Sequence, residues 1–236
     1  MRLDIYLTQH FDIQSRNKAH EIIKSNKVKI DGKIISKPSF IVNDDSKIEL
    51  LEDTFYVSRA AYKLKYFLDD IKDINYTKCD ALDIGSSTGG FTQILLEKDI
   101  NSVCCVDVGT NQLHEKIKDN KKISFYEKQD IRTFENKKEF DIVTCDVSFI
   151  SIHNILNDIN RFAKDKIIIL FKPQFEVGTN VKRDKKGVVK DKIAILKART
   201  KFIDACNLLN WNLIYNSPSK LQGKDGNEEE LFYFSK

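Results

Sequence analysis

The chain has 236 residues, 41% of them hydrophobic and 31% charged, and a formal net charge of +4. That is enough to bury a sizeable core in one large domain, or in an ordinary domain plus a small one, and it excludes a disordered chain. The five cysteines are odd in number and form no CxxC pair, which argues against a disulfide scaffold or zinc ribbon and for a reducing compartment; the polar N-terminus lacks a signal peptide's apolar core, and no apolar run nears the roughly 20 residues of a membrane span.

The charge is unevenly placed. Residues 1–42 hold eight Lys/Arg against four acids, which equals the excess of the whole chain, and residues 164–201 hold twelve against four. Such zones suit a polyanion.

The spacing predicts a first part over residues 1–53. Arg2–Phe11 reads as a short helix with Leu3, Tyr6 and Leu7 on one face. Ser15 can cap a second helix through Lys24, with Ala19, Ile22 and Ile23 inward. The alternation Val28–Ile34 around Asp31-Gly32 signals a hairpin, Pro38 breaks the chain, and Lys47–Leu50 reads as a returning strand. The runs Arg2-Leu3-Asp4-x-Tyr6-Leu7, Ser15-Arg16-x-x-Ala19-x-x-x-Ile23 and Val28-x-Ile30-Asp31-Gly32-Lys33 resemble the S-four-type RNA-binding domain, a small α+β fold. In that family the second helix and the loop before it face structured RNA. The resemblance implies phosphate contacts from Arg16, Lys18, Lys27 and Lys29.

The second part, residues 54–236, alternates helices and short apolar strands. A helix is expected over Ser58–Ile71, then a strand at Ala81–Ile84, a helix at Phe91–Lys98 and strands at Ser102–Val106 and Ile123–Tyr126. A strand at Asp141–Cys145, a helix near Ile152–Phe162, a strand at Ile167–Phe171, a long helix at Lys192–Leu209 and a last strand at Phe232–Phe234 follow. This order argues for a doubly wound α/β sheet. Residues 178–190 form the longest polar loop and carry much of the local basic excess.

Asp83-Ile84-Gly85-Ser86-Ser87-Thr88-Gly89-Gly90-Phe91 joins a strand to a helix through a Gly-rich turn. Glycines admit close backbone approach to a ligand, and a helix start offers free N–H groups. The spacing is neither the P-loop pattern nor a good dinucleotide fingerprint. Asp107, ending the next strand, can accept hydrogen bonds from ribose hydroxyls, and Asp130, after the third, can read an adenine amino group. Together they describe a nucleoside site.

That arrangement looks like the S-adenosyl-L-methionine site of Rossmann-like methyltransferases, with Asp83, Gly85, Ser87, Thr88, Gly89, Gly90, Phe91, Asp107, Asp130 and Asp146 at the cofactor. Lys63, Asp146, Lys172 and Glu229, the last within a run of three glutamates, resemble the catalytic tetrad of FtsJ-like ribose 2′-O-methyltransferases. Strand ends on one sheet edge converge, so these four can share one site. With the N-terminal part, the resemblance sharpens to the TlyA family of ribosomal RNA methyltransferases, also called hemolysin A. Its motifs here are Tyr56-Val57-Ser58-Arg59, the Gly-rich turn, Val106-Asp107-Val108-Gly109, Asp146-Val147-Ser148-Phe149-Ile150-Ser151, Lys172-Pro173-Gln174-Phe175-Glu176, Gly187–Asp191 and Gly226-Asn227-x-Glu229.

The resemblance implies a cytoplasmic enzyme that methylates a cytidine 2′-hydroxyl in large-subunit RNA, with ribosomal RNA or a ribosomal subunit as partner and no metal. A ribose hydroxyl must be oriented and relieved of its proton, while the sulfonium cofactor supplies the electrophile. A neighbouring cation favours an uncharged lysine amine. On that logic Lys172 is the base, Lys63 its positive neighbour, and Asp146 and Glu229 orient the lysines and the ribose. The turn Asp146–Phe149 lacks the prolines usual for base-amino methylation, Cys145 reads as a core residue and the four His show no metal spacing. Two alternatives stay open: a catalytically idle RNA-binding ribosome factor and a membrane-active hemolysin, for which the helix at Lys192–Leu209 is apolar enough to be amphipathic.

Overall fold

The structure, a computed structural model, describes the chain except residues 12, 14, 44, 52–55, 72, 73 and 224. It divides into two compact units, Met1–Phe55 and Tyr56–Lys236. The expected division after residue 53 lies outside the described residues.

The first unit contains helices α1 (Leu3–His10) and α2 (Arg16–Lys24) and strands β1 (Val28–Ile30), β2 (Lys33–Ile34) and β3 (Ile48–Leu50). Ser15 caps α2 by accepting from the Lys18 N–H at 3.2 Å. β1 and β2 pair antiparallel across Asp31 (φ 50°) and Gly32 (φ 78°), the two positive values that a primed two-residue turn needs. β3 adds to the other side of β1 in antiparallel register. Leu3, Leu7, Ala19 and Ile23 from the helices close over Val28 and Ile30.

The second unit is built on a seven-stranded sheet. In chain order its elements are α3 (Arg59–Asp69), β4 (Asp80–Ile84), α4 (Gly90–Leu96), β5 (Ser102–Val106), α5 (Glu115–Lys118), β6 (Ile123–Tyr126) and β7 (Phe140–Cys145). A 3-10 turn (Ile152–Asn154) leads to α6 (Leu156–Phe162), β8 (Ala163–Phe171), α7 (Pro173–Glu176), α8 (Lys192–Leu208), β9 (Asn212–Pro218) and β10 (Glu230–Ser235). The strand order is β6-β5-β4-β7-β8-β10-β9; β10 alone runs antiparallel to its neighbours.

β8 shows why the strands read as continuous apolar runs. Ile167, Ile169 and Phe171 face a core completed by α6 and α8, with Phe162, Phe202 and Cys206. Ile168 and Leu170 face the opposite core, completed by α3 and α4 through Leu64, Phe67, Phe91 and Ile94. Each fully buried side chain of this size contributes about 1.5–3 kcal/mol. Covering both sheet faces leaves the C-terminal ends of β4, β5, β7 and β8 to open on one edge, where loops can hold a ligand.

Candidate active site

β4 ends at Ile84, and the chain turns through Gly85 at φ +75°. A Cβ there would stand 2.9 Å from the Asp146 carbonyl oxygen, so the β4 turn and the end of β7 can approach only with glycine between them. At Gly90, the first residue of α4, a Cβ would strike Ser58 Oγ and stand 2.9 Å from the Ala61 nitrogen. Glycine thus brings the N-terminus of α3 against the same turn.

A cleft of about 330 Å³ opens beside this turn, lined by Gly85, Ser87, Asp107, Val108, Asp130, Asp146 and Phe149 among others. Asp107 is 8% exposed. One carboxylate oxygen accepts from the Ser87 N–H and the other from the Gly109 N–H, both at 2.7 Å. Those bonds fix the carboxylate and leave lone pairs for hydroxyl donors. Phe149 stands 93% exposed at φ 66°, its ring centroid 5.4 Å from that of Phe175. Glu176 holds this segment by accepting from Ser151 Oγ at 2.7 Å and the Ile152 N–H at 2.9 Å.

A second cleft of about 160 Å³ shares Gly85, Ser87, Asp146 and Ser148 with the first and adds Ser58, Ser86, Thr88, Phe91 and Lys172. The hydroxyls of Ser58 and Ser86 are buried here without a hydrogen-bond partner. Unpartnered buried donors call for a ligand or other explanation, and these two face one cleft.

The four expected catalytic residues come together. Lys172 Nζ meets Asp146 Oδ1 at 2.5 Å and donates to Ser148 Oγ at 2.8 Å. Lys63 Nζ donates to Glu229 Oε2, and Gln174 Nε2 donates to Glu229 Oε1 at 3.3 Å. Lys63, Lys172 and Glu229 are 8%, 9% and 4% exposed. Burial pushes the Asp146 carboxyl up against the opposing pull of Lys172 and Lys63, and Glu229 adds to the rise. Two lysines and two acids therefore share one desolvated cluster. The sequence motifs contained Ser58, Ser148, Gln174 and Asn227 but gave them no role; only their adjacency to the tetrad signalled one.

Other expected residues stand elsewhere. Asp83 lines neither cleft. It is fully buried, with one carboxylate oxygen accepting from Thr92 Oγ1 at 2.6 Å and the other from Thr144 Oγ1 at 2.8 Å. The expected cofactor contact is corrected to a strut beneath the turn. Asp130 lines the first cleft but is engaged by Arg132, whose Nη2 donates to it at 2.6 Å; that hydrogen bond holds its carboxyl below the usual range. Gly89 caps α4 and lines neither cleft, and Phe91 packs chiefly in the core beneath. Cys145 is fully buried, and burial pushes its thiol up, as fits a core residue.

In the first unit, Arg16 Nη2 donates to Asp4 at 2.7 Å, and Lys18 Nζ donates to Glu21 at 3.3 Å. Asp4 also accepts from Arg2 and meets His20 at 2.8 Å; the Arg2 guanidinium, with Arg16 and His20, holds its carboxyl far below the usual range. The Arg16 side chain remains 56% exposed. Lys27 and Lys29 flank the start of β1.

Residues 56–236 match the FtsJ-like methyltransferase family, and residues 1–48 match the S4 domain. A Campylobacter jejuni protein named 23S rRNA (cytidine-2′-O)-methyltransferase TlyA is 46% identical over 257 residues, covering 100% of both chains. A Mycobacterium tuberculosis protein named 16S/23S rRNA (cytidine-2′-O)-methyltransferase TlyA is 33% identical over 98% of this chain and 88% of its own. A solved structure described as a "putative hemolysin" from Streptococcus thermophilus is similar with a TM-score of 0.71 at 29% identity, over 100% of this chain and 88% of its own.

Proposed function

The chain belongs to the FtsJ-like methyltransferase family, and we propose that it transfers a methyl group from S-adenosylmethionine to the 2′-hydroxyl of a cytidine in large-subunit ribosomal RNA. The observation that carries this reading is the buried convergence of Lys63, Asp146, Lys172 and Glu229 beside a cleft with unpartnered hydroxyls. The S4-domain match supports folded RNA as the partner, and the names of the relatives support cytidine as the nucleoside.

The residues present fit the cofactor. Asp107 offers fixed carboxylate oxygens to ribose hydroxyls, and the buried hydroxyls of Ser58 and Ser86 are donors for a charged end. When bound, S-adenosylmethionine supplies a methyl already activated by its sulfonium. The chain's own task is to position the hydroxyl and move its proton. Lys172, held by Asp146 and Ser148, first releases its own ammonium proton to solvent, and the neutral Nζ then takes the hydroxyl proton as the methyl is transferred. Glu229 holds Lys63 in place, and Gln174 holds Glu229. Phe149 presents an open aromatic face at the cleft mouth against which a base stacks.

Two desolvated ion pairs are costly to keep, which favours a working enzyme over an idle binder. No helix among the described residues is long and apolar enough to cross a membrane. On this reading the protein acts in the cytoplasm, where ribosomal RNA is found. The test is transfer of labelled methyl from S-adenosylmethionine to purified large and small ribosomal subunits, followed by nucleoside analysis. Label on the large subunit as 2′-O-methylcytidine is expected; no transfer to either subunit, with cofactor binding intact, contradicts the proposal.

A further inference from the structure

We infer that the hairpin at residues 182–190 is a phosphate-gripping arm, which holds the RNA backbone flanking the nucleotide presented to Lys172. The inference rests on the function proposed above and adds a substrate-holding surface on the catalytic unit. Between Val181 and Lys190 the sequence places five basic residues and one acid.

The hairpin is an ordered device. Arg183 and Val189 form an antiparallel bridge, and the Asp184 N–H donates to the Val188 carbonyl at 3.0 Å. The Asp184 carboxylate accepts from the Lys186 N–H at 2.8 Å and the Val188 N–H at 3.0 Å, with Gly187 at φ 82° closing the turn. Its base is stapled to the catalytic cluster at two points. Arg183 donates to the carbonyls of Gln174 at 2.9 Å and Gly178 at 3.0 Å, and Gln174 in turn holds Glu229. Asn227, two residues before Glu229, accepts from the Val189 N–H at 3.0 Å and donates to the Gly187 carbonyl at 3.4 Å.

This anchoring spends one guanidinium on carbonyls, and Lys190 pairs with Asp184 at 3.2 Å. Lys182, Lys185 and Lys186 remain exposed and pair with no carboxylate among the described residues. Three unpaired ammonium groups on one rigid turn repel each other, and a polyanion relieves that repulsion. Because the turn is already ordered, little chain entropy is lost when a phosphodiester backbone docks.

The test uses the full chain, deproteinised large-subunit ribosomal RNA and a salt titration. The triple variant Lys182→Ala/Lys185→Ala/Lys186→Ala is expected to bind this RNA about tenfold more weakly, with the slope of log affinity against log salt reduced by about 2. Its cofactor affinity and Tm should equal those of the wild type, and the triple Lys→Arg variant should keep both affinity and slope. An Ala variant with wild-type RNA affinity and slope overturns the arm. A wild-type chain that transfers no methyl to purified large ribosomal subunits overturns the parent function and the arm with it, whereas an Ala variant at wild-type affinity and slope overturns the arm alone, so the two failures are distinguishable.

Discussion

Lys172 and Asp146 meet at 2.5 Å because each directly follows the end of one of two neighbouring parallel strands, β8 and β7. Burial raises the cost of leaving either charge alone, and their pairing offsets it. Asp146→Ala is expected to cost about 3–5 kcal/mol by stranding the lysine. The double variant Asp146→Ala/Lys172→Met should be more stable than Asp146→Ala alone. Urea denaturation of the set checks this, and equal stabilities would contradict a desolvated pair.

The three consecutive glutamates divide their work. Glu229 is buried on Lys63, Glu228 is exposed, and Glu230 is bound by Arg199 at 2.8 Å and Asn216 at 2.6 Å. Glu229→Ala should lower methyl transfer about 100-fold or more, in the range for losing a group that orients the reacting centre. Glu228→Ala should leave turnover near wild type. A steady-state comparison decides, and a reversed order would move the catalytic role off Glu229.

Gly85 stands at a positive φ with the Asp146 carbonyl 2.9 Å from where a Cβ would be. Gly85→Ala should cost about 1–3 kcal/mol of stability from backbone strain alone. It should also weaken S-adenosylmethionine binding about tenfold or more by pushing the turn off the β7 end. Thermal unfolding and calorimetric titration measure the two effects, and an unchanged affinity would place the cofactor away from this turn.

Asp83 gives stability a pH dependence of known sign. Burial pushes its carboxyl up to about 6 from 3.8, against its hydrogen bonds from Thr92 and Thr144. Between those values the folded chain binds the proton that the unfolded chain has released. The contribution is therefore full below pH 3.8 and lost as pH rises through about 6. The unfolding free energy of the wild type, measured against Asp83→Asn, should fall across this window by on the order of 3 kcal/mol. A flat difference would mean that Asp83 stays ionised in the fold.

Much of the α/β core was legible because strands such as β8 carry apolar residues on both faces and stop at helix signals. β9 was not, since Asn212-Leu213-Ile214 is exposed on a sheet edge and shows no alternation; its partner is a strand that the chain reaches only later. α5 and α7, of four residues each, are too short to show a helical period. The start of β8 was expected at Ile167, but Ala163–Lys166 also pair with β7 despite their charges, since backbone bonding ignores them. The tetrad was visible as residue types in four separate motifs, and sheet topology brought them together. Asp83 misled because an acid at a strand end looks the same whether it faces a ligand or two threonines, whereas Asp130 does line the first cleft, paired there with Arg132.

The central claim is that Lys172 Nζ takes the proton of a ribose 2′-hydroxyl. The most direct test compares wild type with Lys172→Arg, which keeps a cation for Asp146 but cannot be deprotonated in a protein. Both are incubated with labelled S-adenosylmethionine and large ribosomal subunits, and the RNA is digested to nucleosides. The account predicts 2′-O-methylcytidine from the wild type, and a rate at least about 100-fold lower from Lys172→Arg with cofactor affinity retained. Wild-type turnover by Lys172→Arg would contradict it.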